Sequence, residues 1–242
     1  MLRHLITPDW PAPANVQALQ TTRKGGVSDS PYGSFNLGSH VGDNPLAVSR
    51  NRMQLAPFLP SEPVWLNQLH GVTVADAGQA GCLPEADASV STHAGAVCVV
   101  MTADCLPILL CDEQGSVVGA AHAGWRSLCD GVIESTVSAM KVPPVTLMAW
   151  LGPAIGPTRF EVGDEVRAAF MAKQAQAATA FVAGANGKWM ADIYMLARLR
   201  LNTMGITRIY GGGLCTYTDP ERFYSYRRDG VTGRMGTFIW LS

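Results

Sequence analysis

The chain has 242 residues, a formal net charge of −1 and 15% charged residues against 48% hydrophobic ones. Its Lys and Arg are scattered, which excludes the broad basic face of a nucleic-acid binder, and no run reaches the roughly 18 uncharged apolar residues of a membrane span. Residues 1–13 carry Pro8, Pro11 and Pro13 where a secretion leader would carry an apolar stretch. The expectation is one cytoplasmic domain over 1–242, with a core of ample size, a small-molecule ligand, no nucleic-acid or membrane partner and a monomeric state.

In chain order, 16–22 reads as a strand and leads into the turn-rich segment Arg23-Lys24-Gly25-Gly26-Val27-Ser28. Asn44-Pro45 has the form of an N-cap followed by proline at the first helical position, opening a helix to about residue 59. Strands follow at 64–69 and 72–75. The continuous apolar runs 96–102 and 106–111 read as buried strands, and Asp112-Glu113-Gln114-Gly115 turns the chain into another at 116–121.

Residues 125–140 place Leu128, Val132, Val137 and Met140 at near-helical spacing, and 145–151 returns as a strand. Helices are expected at 163–173 and 190–204, separated by an Ala- and Gly-rich insert at 175–187 that is either a loop or a frayed helix. Strands at 206–210 and 237–241 complete a mixed α/β (α+β) fold of layered sheets flanked by helices.

Six cysteines (Cys82, Cys98, Cys105, Cys111, Cys129 and Cys215) contain no CxxC pair, so a four-cysteine structural zinc site has no support, and a chain without a leader has no need of disulfides. Cys98 and Cys111, inside apolar runs, read as core. Cys105 differs, since it interrupts two apolar strands, while His70 and His122 end strands. Imidazole nitrogen and thiolate sulfur are donors that zinc favours, and three protein donors leave one tetrahedral position open. By residue type alone the same three are equally two hydrogen-bonded histidines and a core thiol.

The motifs around them decide between these readings. Asn67-Gln68-Leu69-His70-Gly71, Thr102-Ala103-Asp104-Cys105-Leu106-Pro107 and His122-Ala123-Gly124-Trp125-Arg126 together resemble the multicopper polyphenol oxidase/laccase-domain family. The resemblance extends from Thr21-Thr22-Arg23-Lys24-Gly25-Gly26-Val27-Ser28 and Ser34-Phe35-Asn36-Leu37-Gly38 to Leu151-Gly152-Pro153-Ala154-Ile155-Gly156 and Phe223-Tyr224-Ser225-Tyr226-Arg227-Arg228-Asp229. It implies a single zinc on His70, Cys105 and His122. It also implies phosphorolysis of adenosine, inosine, guanosine and methylthioadenosine, with adenosine deamination at the same site.

Such chemistry needs a phosphate clamp, and arginine's planar, permanently charged fork suits it. Arg23 beside the Gly25-Gly26 turn is the first expectation, Arg227 or Arg228 the second, with Asn36 and Gln68 as amides for sugar or base edges. Deamination needs a proton carrier, for which Asp87 and Asp104 are the acidic candidates; Asp104 is equally a brace for a ligand histidine, and Arg126 an ion-pair partner for one of the two. The HxE and PCxxC deaminase signature is missing. Two other enzyme readings come with the family resemblance: copper-dependent oxidation of phenols at the same ligands, and hydrolytic editing of peptidoglycan precursors with Cys105 or the metal-bound water as nucleophile. Five histidines are too few for a multicopper cluster.

Overall fold

The computed structural model describes residues 4–79 and 83–242, so Cys82 lies outside the described residues. A six-stranded mixed sheet forms the centre, built from β2 (Val74–Asp76), β3 (Ala88–Ser91), β5 (Leu106–Asp112), β6 (Val118–Ala123), β7 (Leu147–Leu151) and β11 (Arg208–Gly211) in the order β11-β7-β5-β6-β3-β2. A second sheet joins β1 (Val16–Gln20), β12 (Met235–Leu241) and β4 (Cys98–Thr102), and a third, smaller one joins β8 (Glu161–Val162), β10 (Trp189–Ala191) and β9 (Phe181–Ala183). The helices are α1 (Pro45–Met53), α2 (Trp125–Asp130), α3 (Val132–Met140), α4 (Asp164–Lys173), α5 (Ile193–Thr203) and α6 (Tyr226–Asp229).

Side-chain alternation explains why the central runs are apolar throughout. In β5, Leu106, Ile108 and Leu110 face the helices and pack with Val132, Ile133 and Val137 of α3 and Leu196 and Leu201 of α5. Leu109 and Cys111 face the second sheet and meet Cys98, Val100 and Ile239. The outer face of that sheet is covered in turn, with Leu19, Val99, Met101 and Phe238 lying under Phe35, Leu37, Leu55 and Trp65. Burial raises the Cys98 and Cys111 thiols to about 12, as befits core residues.

Several expected elements differ, each for a local reason. Residues 64–69 make only isolated bridges, Val64 with Cys98 and Asn67 with Glu85. There the Gln68 side chain stands in for a strand neighbour: its Nε2 donates to the Met101 carbonyl (2.9 Å) and its Oε1 accepts from the Met101 N–H (2.7 Å). The expected helix at 125–140 breaks at Gly131, whose φ of 106° lies in the left-handed region, giving α2 and α3. The helix from Asn44 is capped as expected, the side chain accepting from Leu46 N–H (2.9 Å), but ends at Met53 and gives way to a 3₁₀ turn, Ala56–Phe58, at Pro57. The start of the expected helix at 190–204 is recruited into β10, and Asp192 caps the remainder by accepting from Met195 N–H (2.9 Å). The insert at 175–187 holds a 3₁₀ turn, Ala175–Ala180, followed by β9. Among the described residues no helix is long and apolar enough to cross a membrane.

Candidate metal centre and adjoining cavity

Strand register brings the three donors together. β5 and β6 are antiparallel with Leu106 opposite Ala123 and Pro107 opposite His122, so Cys105, one residue before β5, faces Gly124, one residue after β6. β3 pairs on the other side of β6 with Ala88 opposite Ala121, which sets Asp87 beside His122; the His122 N–H donates to the Asp87 carbonyl at 2.7 Å. His70 arrives from a turn, at a φ of 60°. The donor atoms of His70, Cys105 and His122 all lie within 4.8 Å of one another, and among the described residues this is the one His/Cys/Asp/Glu group of that kind.

The buried Asp87 carboxylate holds this arrangement. It accepts from His122 Nδ1 (2.8 Å) and from the successive N–H groups of Leu69 (3.1 Å), His70 (2.9 Å) and Gly71 (2.7 Å). Burial alone would raise its pKa, but the hydrogen bonds from His122, Gly71 and Leu69 outweigh that and hold it below the ordinary aspartate value. Burial likewise opposes charge on His122, yet the Cys105 sulfur and the Asp87 carboxylate favour it and raise His122 to about 9. His70, subject to burial and to the charge of His122, is drawn down.

The site has room for an ion because Gly124 lacks a side chain. A Cβ there would lie 2.6 Å from His70 Nδ1 and 3.1 Å from Cys105 Sγ. Two imidazoles, one oriented by a carboxylate, and a half-exposed thiol fit a zinc or copper ion.

A cavity of about 490 Å³ opens beside the three donors. Its lining includes His70, Asp104 and Cys105, the aromatic residues Trp125, Phe160 and Tyr226, and the arginines Arg126, Arg227 and Arg234. Arg126 stacks on Trp125, 4.4 Å from the ring centroid, and ion-pairs with neither Asp87 nor Asp104. Arg227 Nη1 donates to the Glu161 carbonyl (2.7 Å). Arg234 donates through Nη1 to the carbonyls of Thr232 and Gly233 (both 3.1 Å); burial draws it down from the ordinary arginine value, with the charges of Cys105 and Asp104 opposing.

The remaining residues singled out from sequence lie elsewhere. Arg23 donates to the carbonyls of Gly33 (3.0 Å) and Pro220 (3.1 Å) and stacks over Tyr224, outside the cavity lining. Asn36 braces a loop, its Oδ1 accepting from Gly38 N–H (2.9 Å) and Arg234 N–H (2.8 Å). Gln68 is committed to Met101. Arg228 binds the carbonyls of Thr216 (2.7 Å), Tyr217 (3.0 Å) and Phe223 (3.0 Å). Asp104 hydrogen-bonds to no histidine among the described residues, its carboxylate accepting from Thr216 Oγ1 and Arg227 N–H. Arg234 was not singled out from sequence; its one local signal is the pair of glycines, Gly233 and Gly236, that flank the entry to β12.

Residues 17–242 match the family model described as multi-copper polyphenol oxidoreductase laccase. A protein of Pseudomonas aeruginosa named purine nucleoside phosphorylase is 56% identical over 237 residues, and the purine nucleoside phosphorylase YfiH of Escherichia coli is 56% identical over 240, each alignment covering 98% of both chains. The crystal structure of a Neisseria meningitidis protein, 53% identical, superposes with a TM-score of 0.95 over 99% of this chain and 100% of that one. A match that begins within β1 and runs to residue 242, with relatives this similar over nearly their whole length, means that the chain belongs to the multi-copper polyphenol oxidoreductase laccase family.

Proposed function

We propose that the chain is a zinc-dependent purine nucleoside phosphorylase acting on adenosine, inosine, guanosine and methylthioadenosine, with adenosine deamination at the same site. The observation that carries this reading is one cavity in which three arginines and an aromatic wall adjoin the His70, Cys105 and His122 donors. The names of the relatives at 56% identity support it.

In phosphorolysis the glycosidic C–N bond breaks, a phosphate oxygen bonds to the sugar carbon, and the proton that the phosphate gives up passes to the departing base. Arg126, Arg227 and Arg234 supply the charge and forked donors that a phosphate requires, and Trp125 and Tyr226 offer faces on which a purine stacks. Neither Arg23 nor Arg228 is assigned that task, because both guanidinium groups are spent on backbone carbonyls outside the cavity. Asp87 is assigned the positioning of His70 and His122. When bound, the ion supplies Lewis-acid charge and acidifies a coordinated water to near-neutral pKa, the nucleophile that deamination requires.

The family description favours copper chemistry as a second reading, although three donors in one cluster fall short of a multicopper arrangement. Metal analysis combined with a nucleoside panel separates the two. We expect one zinc per chain, lost in Cys105→Ala and His122→Ala, and release of free base with ribose 1-phosphate only when phosphate is supplied. Stoichiometric zinc in both variants would remove the metal assignment; oxidation of phenols with no base released from any nucleoside would establish the copper reading instead.

A further inference from the structure

We propose that Asp104 is a positioning residue that fixes the arginine wall of the cavity for an anionic co-substrate, and does not carry a proton. The identity of that co-substrate as phosphate rests on the phosphorylase reading above.

Asp104 is a non-glycine residue at φ 89°, a conformation that persists only where the surroundings hold it. Three contacts do so. The backbone carbonyl accepts from Ile155 N–H (2.9 Å), Oδ1 accepts from Thr216 Oγ1 (2.6 Å), and Oδ2 accepts from the backbone N–H of Arg227 (2.7 Å). Ile155 and Arg227 both line the cavity, and the Arg227 guanidinium is held at its far end by Glu161. Asp104 is also covalently joined to Cys105, so one residue links the His70, Cys105 and His122 cluster to Arg227 of the cavity lining.

Each oxygen of this nearly buried carboxylate accepts one short hydrogen bond from the protein, so two of its roughly four lone-pair sites are given to Thr216 and Arg227. A brace for a ligand histidine needs contact with an imidazole, and Asp87 occupies that position. What remains is the junction with Thr216 and Arg227.

The two roles respond differently to an isosteric amide. In Asp104→Asn the Oδ1 still accepts from Arg227 N–H, Nδ2 donates to the Thr216 hydroxyl oxygen, and asparagine tolerates the left-handed conformation, but the amide cannot carry a proton. Asp104→Ala loses both bonds, and Thr216→Val loses one of them without touching the cavity or the metal donors.

The test is calorimetric titration of the zinc-loaded protein with inorganic phosphate, together with zinc content and KM values for phosphate and nucleoside. We expect phosphate affinity to fall about tenfold in Asp104→Ala, equivalent to about 1.4 kcal/mol, and less in Thr216→Val, with zinc retained and the nucleoside KM little changed. Asp104→Asn recovers most of that loss. Where Asp104→Ala is too unstable to titrate, Thr216→Val against the amide variant gives the same comparison. Turnover reduced on the order of 10²-fold in Asp104→Asn with phosphate affinity intact would establish a proton carrier and overturn the proposal, as would unchanged phosphate affinity in both Asp104→Ala and Thr216→Val. Failure of the unaltered protein to bind phosphate is a separate result: it removes the phosphorylase reading, and this inference with it.

Discussion

Asp87 places one carboxylate where two metal-donor segments meet, binding the ring of His122 and three successive N–H groups of the turn that carries His70. Removing it leaves His122 free to rotate and three N–H groups without an acceptor, so Asp87→Ala is expected to weaken zinc binding roughly 10–100-fold, as loss of such a partner typically does. Competition against a chelator of known affinity measures this; unchanged zinc affinity would show that strand register alone orients the donors. That His70, Cys105 and His122 belong to one cluster was legible because each sits inside a dense motif. Of the arginines singled out, Arg126 and Arg227 line the cavity and Arg23 and Arg228 do not, because a motif does not show how far a long side chain reaches or what it meets. Arg23 looks like an anion clamp beside Gly25 and Gly26, yet its acceptors are carbonyls at Gly33 and at Pro220, about two hundred residues on. Arg234 lies among glycines and takes its place in the cavity from Asn36 and Gly38, which are distant in sequence.

The β5–β6 hairpin carries Cys105 and His122 at its open end, and the closed end fixes its register. There Asp112, almost fully buried, accepts from Ser116 N–H (2.7 Å), Ser116 Oγ (2.7 Å) and Val117 N–H (3.1 Å). Burial would raise this carboxyl, but the bonds from Ser116 and Val117 outweigh it and hold the folded-state pKa below the ordinary 3.8. A lowered folded pKa means that the unfolded chain binds the proton more readily, so the stabilisation is complete above about pH 4 and is lost as pH falls through the folded value. Asp112→Asn is expected to cost about 1.5–3 kcal/mol at pH 7, with the gap from the parent narrowing below pH 4. Denaturant unfolding at pH 7 and pH 3 checks this, and a gap that does not change with pH would exclude the ionised carboxylate as its source. The hairpin was readable from sequence because both strands are buried on both faces and the turn is polar. The segment at 64–69 misled because its apolar start, Val64-Trp65-Leu66, is strand-like, while a side-chain amide on Met101 replaces the ladder. The break at Gly131 misled because helical spacing continues across it, and only the backbone conformation there divides α2 from α3.

At the scale of the molecule, stability and chemistry occupy different regions. The helices, the six-stranded sheet, the second sheet and its outer cover enclose successive apolar layers, and none of these clusters includes His70, Cys105 or His122. A fully buried leucine or isoleucine contributes about 1.5–3 kcal/mol, so the many in these layers hold the fold without help from the metal donors. An ion bound at the donors therefore adds stability only by mass action, about 2.7 kcal/mol when free metal is a hundredfold above Kd. For a chain of this length that corresponds to a Tm higher by roughly 5–11 °C. Chelation should accordingly lower Tm by about that amount while leaving the far-ultraviolet circular dichroism at 25 °C unchanged, and activity should return when zinc is restored. Loss of secondary structure on chelation would instead mean that the ion holds the β5–β6 opening and the His70 turn together as a structural part of the fold. In that case Asp87 and Gly124 would be conditions of folding before they were conditions of chemistry.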